Sequence, residues 1–443
     1  MTVVGLLAVT SMPRPEATRP DSPAVHVPAL VARTIPIDNP GALLSLLPET
    51  MGSDRVSAWV RRGEGLVGWG RALEFRSSGQ DRFAKAQTWW RSVVDHAVVR
   101  DDLLVPGTGP VAFGSFSFSA DSPAGAALVV PEVIVGQRGS RCWLTTIGVD
   151  SHLPVTLKPS VALPPVAPQD VRFSDGALSG AQWSAVIARA VGRINAGEMD
   201  KVVLARDLAV DARSAIDPRW LLQRLVERYD NTWVFAVDGL VGATPEMLVK
   251  LEKGLVTSRV LAGTIRRTGD DNHDLALAAS LARSSKDLEE HEYAVRSVAE
   301  ALAPHCSSIN VPESPFVLHL SNVMHLATDV AGVLTDGATS LALAASLHPS
   351  AAVCGTPTPV ANTAIRELEQ MDRGRYAGPV GWTDASGDGE WGIALRCGAY
   401  DGANPSQIRL FAGCGIVAGS DPDCELAESD AKFVPMRDAL TAT

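Results

Sequence analysis

The sequence predicts an α+β fold built on large antiparallel sheets, and three observations predict it. Strand pairs and helical stretches interleave along the chain instead of repeating as strand–helix–strand units. A turn-rich segment, Asp384 to Gly389, joins two apolar runs, Val380–Thr383 and Trp391–Arg396, as a hairpin. Hydrophobic residues make up 46% of the 443 positions and charged residues 20%, enough for a large packed core. Length alone allows two or three domains.

The elements follow in order. Residues 11–30, rich in Pro, Ala and Ser, read as loose, and the short apolar run near Met1 lacks the basic lead of a signal peptide. Gly63 to Gly68 spells G-x-G-x-x-G, but a dinucleotide loop must open a helix. Here Val67 to Leu73 continues as a glycine-broken strand, so a plain hairpin is expected. Val111–Ser119 and Ala127–Val135 read as strands. The stretch 151–170, with five prolines, reads as a connector. Beyond it, Trp183, Val186, Ile187, Ala190, Val191 and Ile194 keep helical spacing over 180–196, with Ser179 and Gln182 as a capping box and Gly197 as the stop. A short strand, Val202–Leu204, follows, and Lys201 stands at its start. Strands are expected within 231–250 and 255–266, and one long helical region over 272–303. A helix over 359–370 has Pro359 at its first position. A strand at 407–412 precedes a last helix near 423–440.

Composition removes several function classes. A net charge of −11 leaves no basic face for nucleic acid, and an anionic substrate would need local Lys, Arg or a metal. No apolar run reaches the ~18 residues of a membrane helix. The six cysteines form no C-x-x-C pair and read as scattered free thiols of a reducing cytoplasm.

Carboxylates at helical spacing are the best chemical signal. Asp287 and Glu290 lie three apart, as do Glu425 and Glu428, with Lys432 four further on. Facing one another, the two pairs would repel unless a hard cation such as magnesium lay between them; spacing alone favours the alternative, two solvated helix faces. Lys201 reads first as an ordinary exposed lysine, although a desolvated one near other cations can act as a base. Glu246 reads first as a surface turn residue, although a carboxyl among apolar neighbours can keep its proton and serve as a general acid. Gly413-Cys414-Gly415 reads as a tight turn, or as backbone N–H donors for a carboxylate. His325 and His348 read as satisfied core or loop histidines.

Taken in order, the segments do more than any one of them. Asp200 to Arg206, Thr244-Pro245-Glu246, Leu261 to Thr264, Lys286-Asp287 with Glu290-His291, His325 to Thr328, His348 to Pro357, Glu369 to Arg373 with Tyr376 to Gly378, Gly413 to Val417, and Glu425 to Lys432 together resemble the chorismate-utilising enzymes: the isochorismate, salicylate, anthranilate and aminodeoxychorismate synthases. The resemblance covers about 180–440; residues 1–170 match only loosely. It implies one domain over 1–443, a β-sandwich flanked by helices and like anthranilate synthase component I, with a buried central site. It implies magnesium held by Glu290 and Glu428, with Asp287 and Glu425 as outer partners. The family more often has Glu where Asp287 stands. Arg396, Tyr376, Lys432 and the Gly413 and Gly415 backbone match positions that grip the substrate carboxylates. Ala262, Gly263 and Thr264 match a strand lining the ring pocket, and His325 a histidine near the enolpyruvyl side.

Within the family, Lys201 points to water as the nucleophile, because isochorismate and salicylate synthases carry lysine there and ammonia-using members generally do not. Ala352 stands where salicylate- and amine-forming relatives tend to have threonine. The resemblance therefore implies an isochorismate synthase feeding menaquinone or catechol-siderophore synthesis. It would be cytoplasmic and monomeric, with no glutaminase partner.

Overall fold

The computed structural model describes residues 29–49, 51–149, 159–320 and 323–441. The calls on the N-terminal run and on most of 11–30 and 151–158 lie outside these. Two large sheets, one of 13 strands and one of 10, carry helices on their outer faces. Among the described residues all strand pairs but one are antiparallel; the exception joins Leu30–Ile37 to Val98–Asp101 at an outer edge. This is the predicted α+β class.

Both sheets are shared between the two halves of the chain. In the larger, Val56–Arg61 pairs with Trp233–Val237. In the smaller, Val111–Phe116 pairs with Pro379–Asp384. One continuous buried cluster runs through both sheets and takes in Trp59, Phe113 and Trp143 from the first half and Trp183, Phe235, Trp382 and Trp391 from the second.

Local physics explains where the sequence was legible. The G-x-G-x-x-G segment is a hairpin, with Arg62 and Gly63 both at positive φ in a two-residue turn. A Cβ on Gly65 would lie 2.0 Å from the Trp59 carbonyl oxygen, so the glycine serves close strand packing and no ligand. Helix Gly180–Asn195 begins at the expected capping box, and Gly197, at φ +79, ends it. The face Trp183, Val186, Ile187, Ala190 and Ile194 is buried.

Several expectations change. Ala127–Val135 is two strands in different sheets, Ala126–Val130 and Val133–Arg138, because Pro131 has no N–H to continue a ladder. The region 272–303 is two helices, Asp271–Leu281 and Ser285–Leu302; Ser284 accepts from the Asp287 N–H and starts the second. Val202–Leu204 belongs to an 11-residue strand, Lys201–Asp211. Pro359 is the second residue of its helix, Thr358–Leu368. Gly413-Cys414-Gly415 is not a turn but the end of strand Asn404–Ile416, paired to Val203–Ala205.

Candidate functional site

A buried cavity between the sheets collects all but one of the predicted site residues. Lys201, Glu246, Gly263, Thr264, Asp287, His325, Ala352, Tyr376, Arg396, Gly413, Gly415, Glu425, Glu428 and Lys432 line it. The exception is Glu290, whose backbone lies in helix Ser285–Leu302 one turn beyond Asp287 and whose side chain is outside the described residues.

Each side chain arrives by a local cause. Lys201 opens a strand held on one side by Asn404–Ile416 and on the other by Gly355–Thr356, and only 4% of it is exposed. Glu246, 5% exposed, sits in an elbow where Leu240–Thr244 of the larger sheet hands over to Met247–Glu252 of the smaller. Pro245 there cannot continue either ladder. Burial pushes the Glu246 carboxyl up to about 8, and nearby Arg396 and Lys201 only partly offset this.

Strand Leu255–Arg266 bulges between Ala262 and Thr264. Gly263, at φ +75, makes the bulge; a Cβ there would sit 3.1 Å from the Asp287 Cβ. Beyond the bulge Thr264 faces His325, and their Oγ1 and Nδ1 lie 3.0 Å apart. The His325 Nε2 is buried with no hydrogen-bond partner among the described residues. Burial, then Arg396 and Lys432, hold His325 well below its ordinary pKa, so the ring is neutral.

Cations lining the cavity, Arg396 and Lys432 among them, offset the negative net charge locally. Arg396 was expected at a strand end; instead it follows that strand, at φ +48, a conformation that costs a non-glycine residue free energy and recurs at functional sites. Tyr376 stacks on Phe411 with ring centres 5.2 Å apart, and burial raises its hydroxyl to about 12, so it stays a neutral donor. Lys432 donates to the Gly413 carbonyl at 2.9 Å and to Glu428 at 2.6 Å.

The acidic side has a mixed donor set. Glu425 and Glu428, on helix Pro422–Thr441, bring carboxylate oxygens within 4.8 Å of each other and of the Cys414 sulfur. Asp287 lines the same cavity. Carboxylate oxygens are the donors magnesium takes; among the described residues Cys414, Glu425 and Glu428 are the only three metal-ligand side chains gathered this closely, and Asp287 lines the cavity outside that group.

Sequence reasoning left out the Glu369–Arg373 pair as site residues, although both lay in a quoted segment. Arg373 donates to Glu369, to the Val203 carbonyl at 2.7 Å and to the Val353 carbonyl at 3.0 Å, while Glu369 accepts the Ala205 N–H at 2.7 Å. The pair ties the Lys201 strand to the loop carrying Ala352. The two are four apart in sequence, but Glu369 caps helix Thr358–Leu368 and Arg373 lies beyond its end, in a run of charged residues that hides the pair. Cys414 was set aside with the other thiols, and its spacing to Glu425 gives no signal.

Comparison with known proteins places this geometry. The family model described as "Chorismate binding enzyme" matches residues 25–441. The chain is 40% identical to isochorismate synthase DhbC of Bacillus subtilis (strain 168) over 57% of its own length and 66% of that protein's, just under two thirds. It is 33% identical to the "salicylate biosynthesis isochorismate synthase" of Pseudomonas aeruginosa over 87% of its own length and 84% of that protein's. Among solved structures it matches MenF, the menaquinone-specific isochorismate synthase of Escherichia coli, with a TM-score of 0.76, 25% identity, and coverage of 94% of this chain and 95% of that one.

Proposed function

This chain belongs to the chorismate-binding enzyme family, and from that premise we propose that it is an isochorismate synthase, an isomerase that adds water at chorismate C2 and expels the C4 hydroxyl. The observation that carries the reading is a buried carboxyl and a buried lysine, Glu246 and Lys201, lining one cavity, where burial pushes the carboxyl up to about 8. Acid–base catalysis needs two groups of opposed protonation, set apart by their surroundings.

In this reading Lys201 takes a proton from the attacking water, and Glu246 Oε gives its proton to the leaving C4 oxygen. Arg396, Lys432, the Tyr376 hydroxyl and the Gly413–Gly415 backbone hold the two substrate carboxylates. The Gly263 bulge and Thr264 form the wall of the ring pocket, and neutral His325 offers Nε2 toward the enolpyruvyl side. The Glu369–Arg373 tie keeps Lys201 and Ala352 in register. Glu428 and Glu290, backed by Asp287 and Glu425, would hold magnesium, which would neutralise the ring carboxylate and draw electron density from the ring.

Ala352 favours release of isochorismate over elimination of pyruvate, because the side chain it presents to the cavity has no hydroxyl to engage the product. A consumer in menaquinone or catechol-siderophore synthesis would draw the product off. We further infer one domain acting as a cytoplasmic monomer without a glutaminase or nucleic-acid partner; sedimentation of the pure protein tests the monomer. The activity is tested by chromatography of products from chorismate with and without EDTA. Isochorismate formed only with free magnesium supports the reading. Fluorescent salicylate as the main product would make the chain a salicylate synthase, and an ammonium-dependent amine would remove it from the water-using group.

A further inference from the structure

Strand alternation separates two roles in Gly413-Cys414-Gly415. The glycines line the cavity, so Cys414 points the other way, against helix Pro422–Thr441. There its sulfur donates to the Glu425 carbonyl at 3.4 Å. One helical turn brings Glu425 and Glu428 over it, and the three ligand atoms lie within 4.8 Å of one another. Magnesium has no use for sulfur, so oxygen-only coordination leaves this thiol as an unused donor beside the two carboxylates. One sulfur and two carboxylates, completed by water, are a donor set that zinc-class ions accept.

We propose that Cys414, Glu425 and Glu428 form a binding site for thiophilic divalent cations such as zinc and cadmium, which bind there in competition with magnesium. Binding breaks the Cys414 S–H bond and forms a metal–sulfur bond; the proton leaves to solvent and nothing is oxidised or reduced. Without a metal the buried thiol keeps its S–H hydrogen bond to the Glu425 carbonyl. A bound cation reverses that preference. The charged groups acting on the sulfur are Lys432, Glu428, Glu425 and Arg396. The Lys432 ammonium, bonded to Glu428, opposes any incoming cation, and a metal–sulfur bond gives thiophilic ions added affinity that magnesium cannot draw on.

The test is titration of the full chain with cadmium, read by the ultraviolet thiolate-to-cadmium charge-transfer band, which needs no substrate. Failure here is therefore distinct from failure of the assigned reaction. The band should saturate at one cadmium per chain, vanish in Cys414→Ser, persist in Cys424→Ala, and need more cadmium as magnesium is raised. Cadmium affinity should fall by on the order of 10- to 100-fold in Cys414→Ser, no less than the loss of an outer metal partner. A band that survives Cys414→Ser, depends on exposed Cys424 instead, or ignores magnesium overturns the proposal. If Cys414→Ser fails to fold, X-ray absorption on the cadmium-loaded wild type decides: one sulfur in the shell supports the site, and an all-oxygen shell overturns it.

Discussion

Residues 29–149 and 159–441 contribute to the molecule in different ways. In each sheet the strands of the two halves form separate blocks that meet at one junction, Trp233–Val237 with Val56–Arg61 and Pro379–Asp384 with Val111–Phe116, and both halves feed the same buried cluster. Yet all the cavity-lining residues fall between Lys201 and Lys432. The first half works through volume and pairing: Trp59 donates to Glu390, Trp90 donates to the Asp384 carbonyl, and Trp59 packs near the Glu246 elbow. Apart from such indole donors, side chains of the right volume and strand preference serve here, so much of its sequence can drift. The second half must also place charges and protons, which only a few residue types can do.

That contrast can be broken or sharpened by experiment. The largest effect is expected in the half without chemistry. Phe113, fully buried at the strand shared with Trp382, should cost about 3–5 kcal/mol of stability on change to Ala, read by denaturant unfolding. Turnover per folded molecule should change little; a large fall would show that the first half shapes the chemistry.

Lys201→Ala and Glu246→Gln should each lower kcat by at least roughly 100-fold, worth about 2.7 kcal/mol, with the fold intact by melting temperature. Wild-type turnover in either variant would remove the acid–base pair from the mechanism.

The pH dependence of stability probes the same carboxyl. Folding raises Glu246 from 4.5 to about 8, so between those values the folded state binds a proton that the unfolded state has released. Its contribution is fully present below about 4.5 and is lost as pH rises through about 8, by up to about 1.4 kcal/mol per pH unit. Glu246→Gln should flatten that slope, and wild-type turnover should decline above about pH 8. Equal slopes in the two proteins would mean that the carboxyl is ionised in the fold.

The smallest effect is local. Ser179→Ala removes the side chain that accepts the Gln182 N–H and should cost about 1 kcal/mol in thermal unfolding, with kcat unchanged.

How far the sequence could be read follows the same division. Lys201, Glu246 and the residues of the Gly263–Thr264 bulge were legible because their segments carry chemistry in a fixed order. The capping box at Ser179 was legible because a cap is a local hydrogen bond. The break at Ala282–Ser284 was missed because helical residues continue across it, and only Ser284 marks the restart. The long strand Lys201–Asp211 was read short because its buried Arg206 and Asp207 look like loop residues until Arg206 meets Ser429 and Asp207 meets Arg409. Arg373 was not singled out for the same reason. Buried charges declare themselves only through partners far away in sequence.

The most direct test of the central claim is to run the reaction in water enriched in heavy oxygen and locate the label by mass spectrometry and NMR. Water attack at C2 with loss of the C4 hydroxyl predicts one labelled oxygen in isochorismate, at C2. Unlabelled isochorismate would mean that the hydroxyl migrates within the substrate, and the roles given to Lys201 and Glu246 would fall.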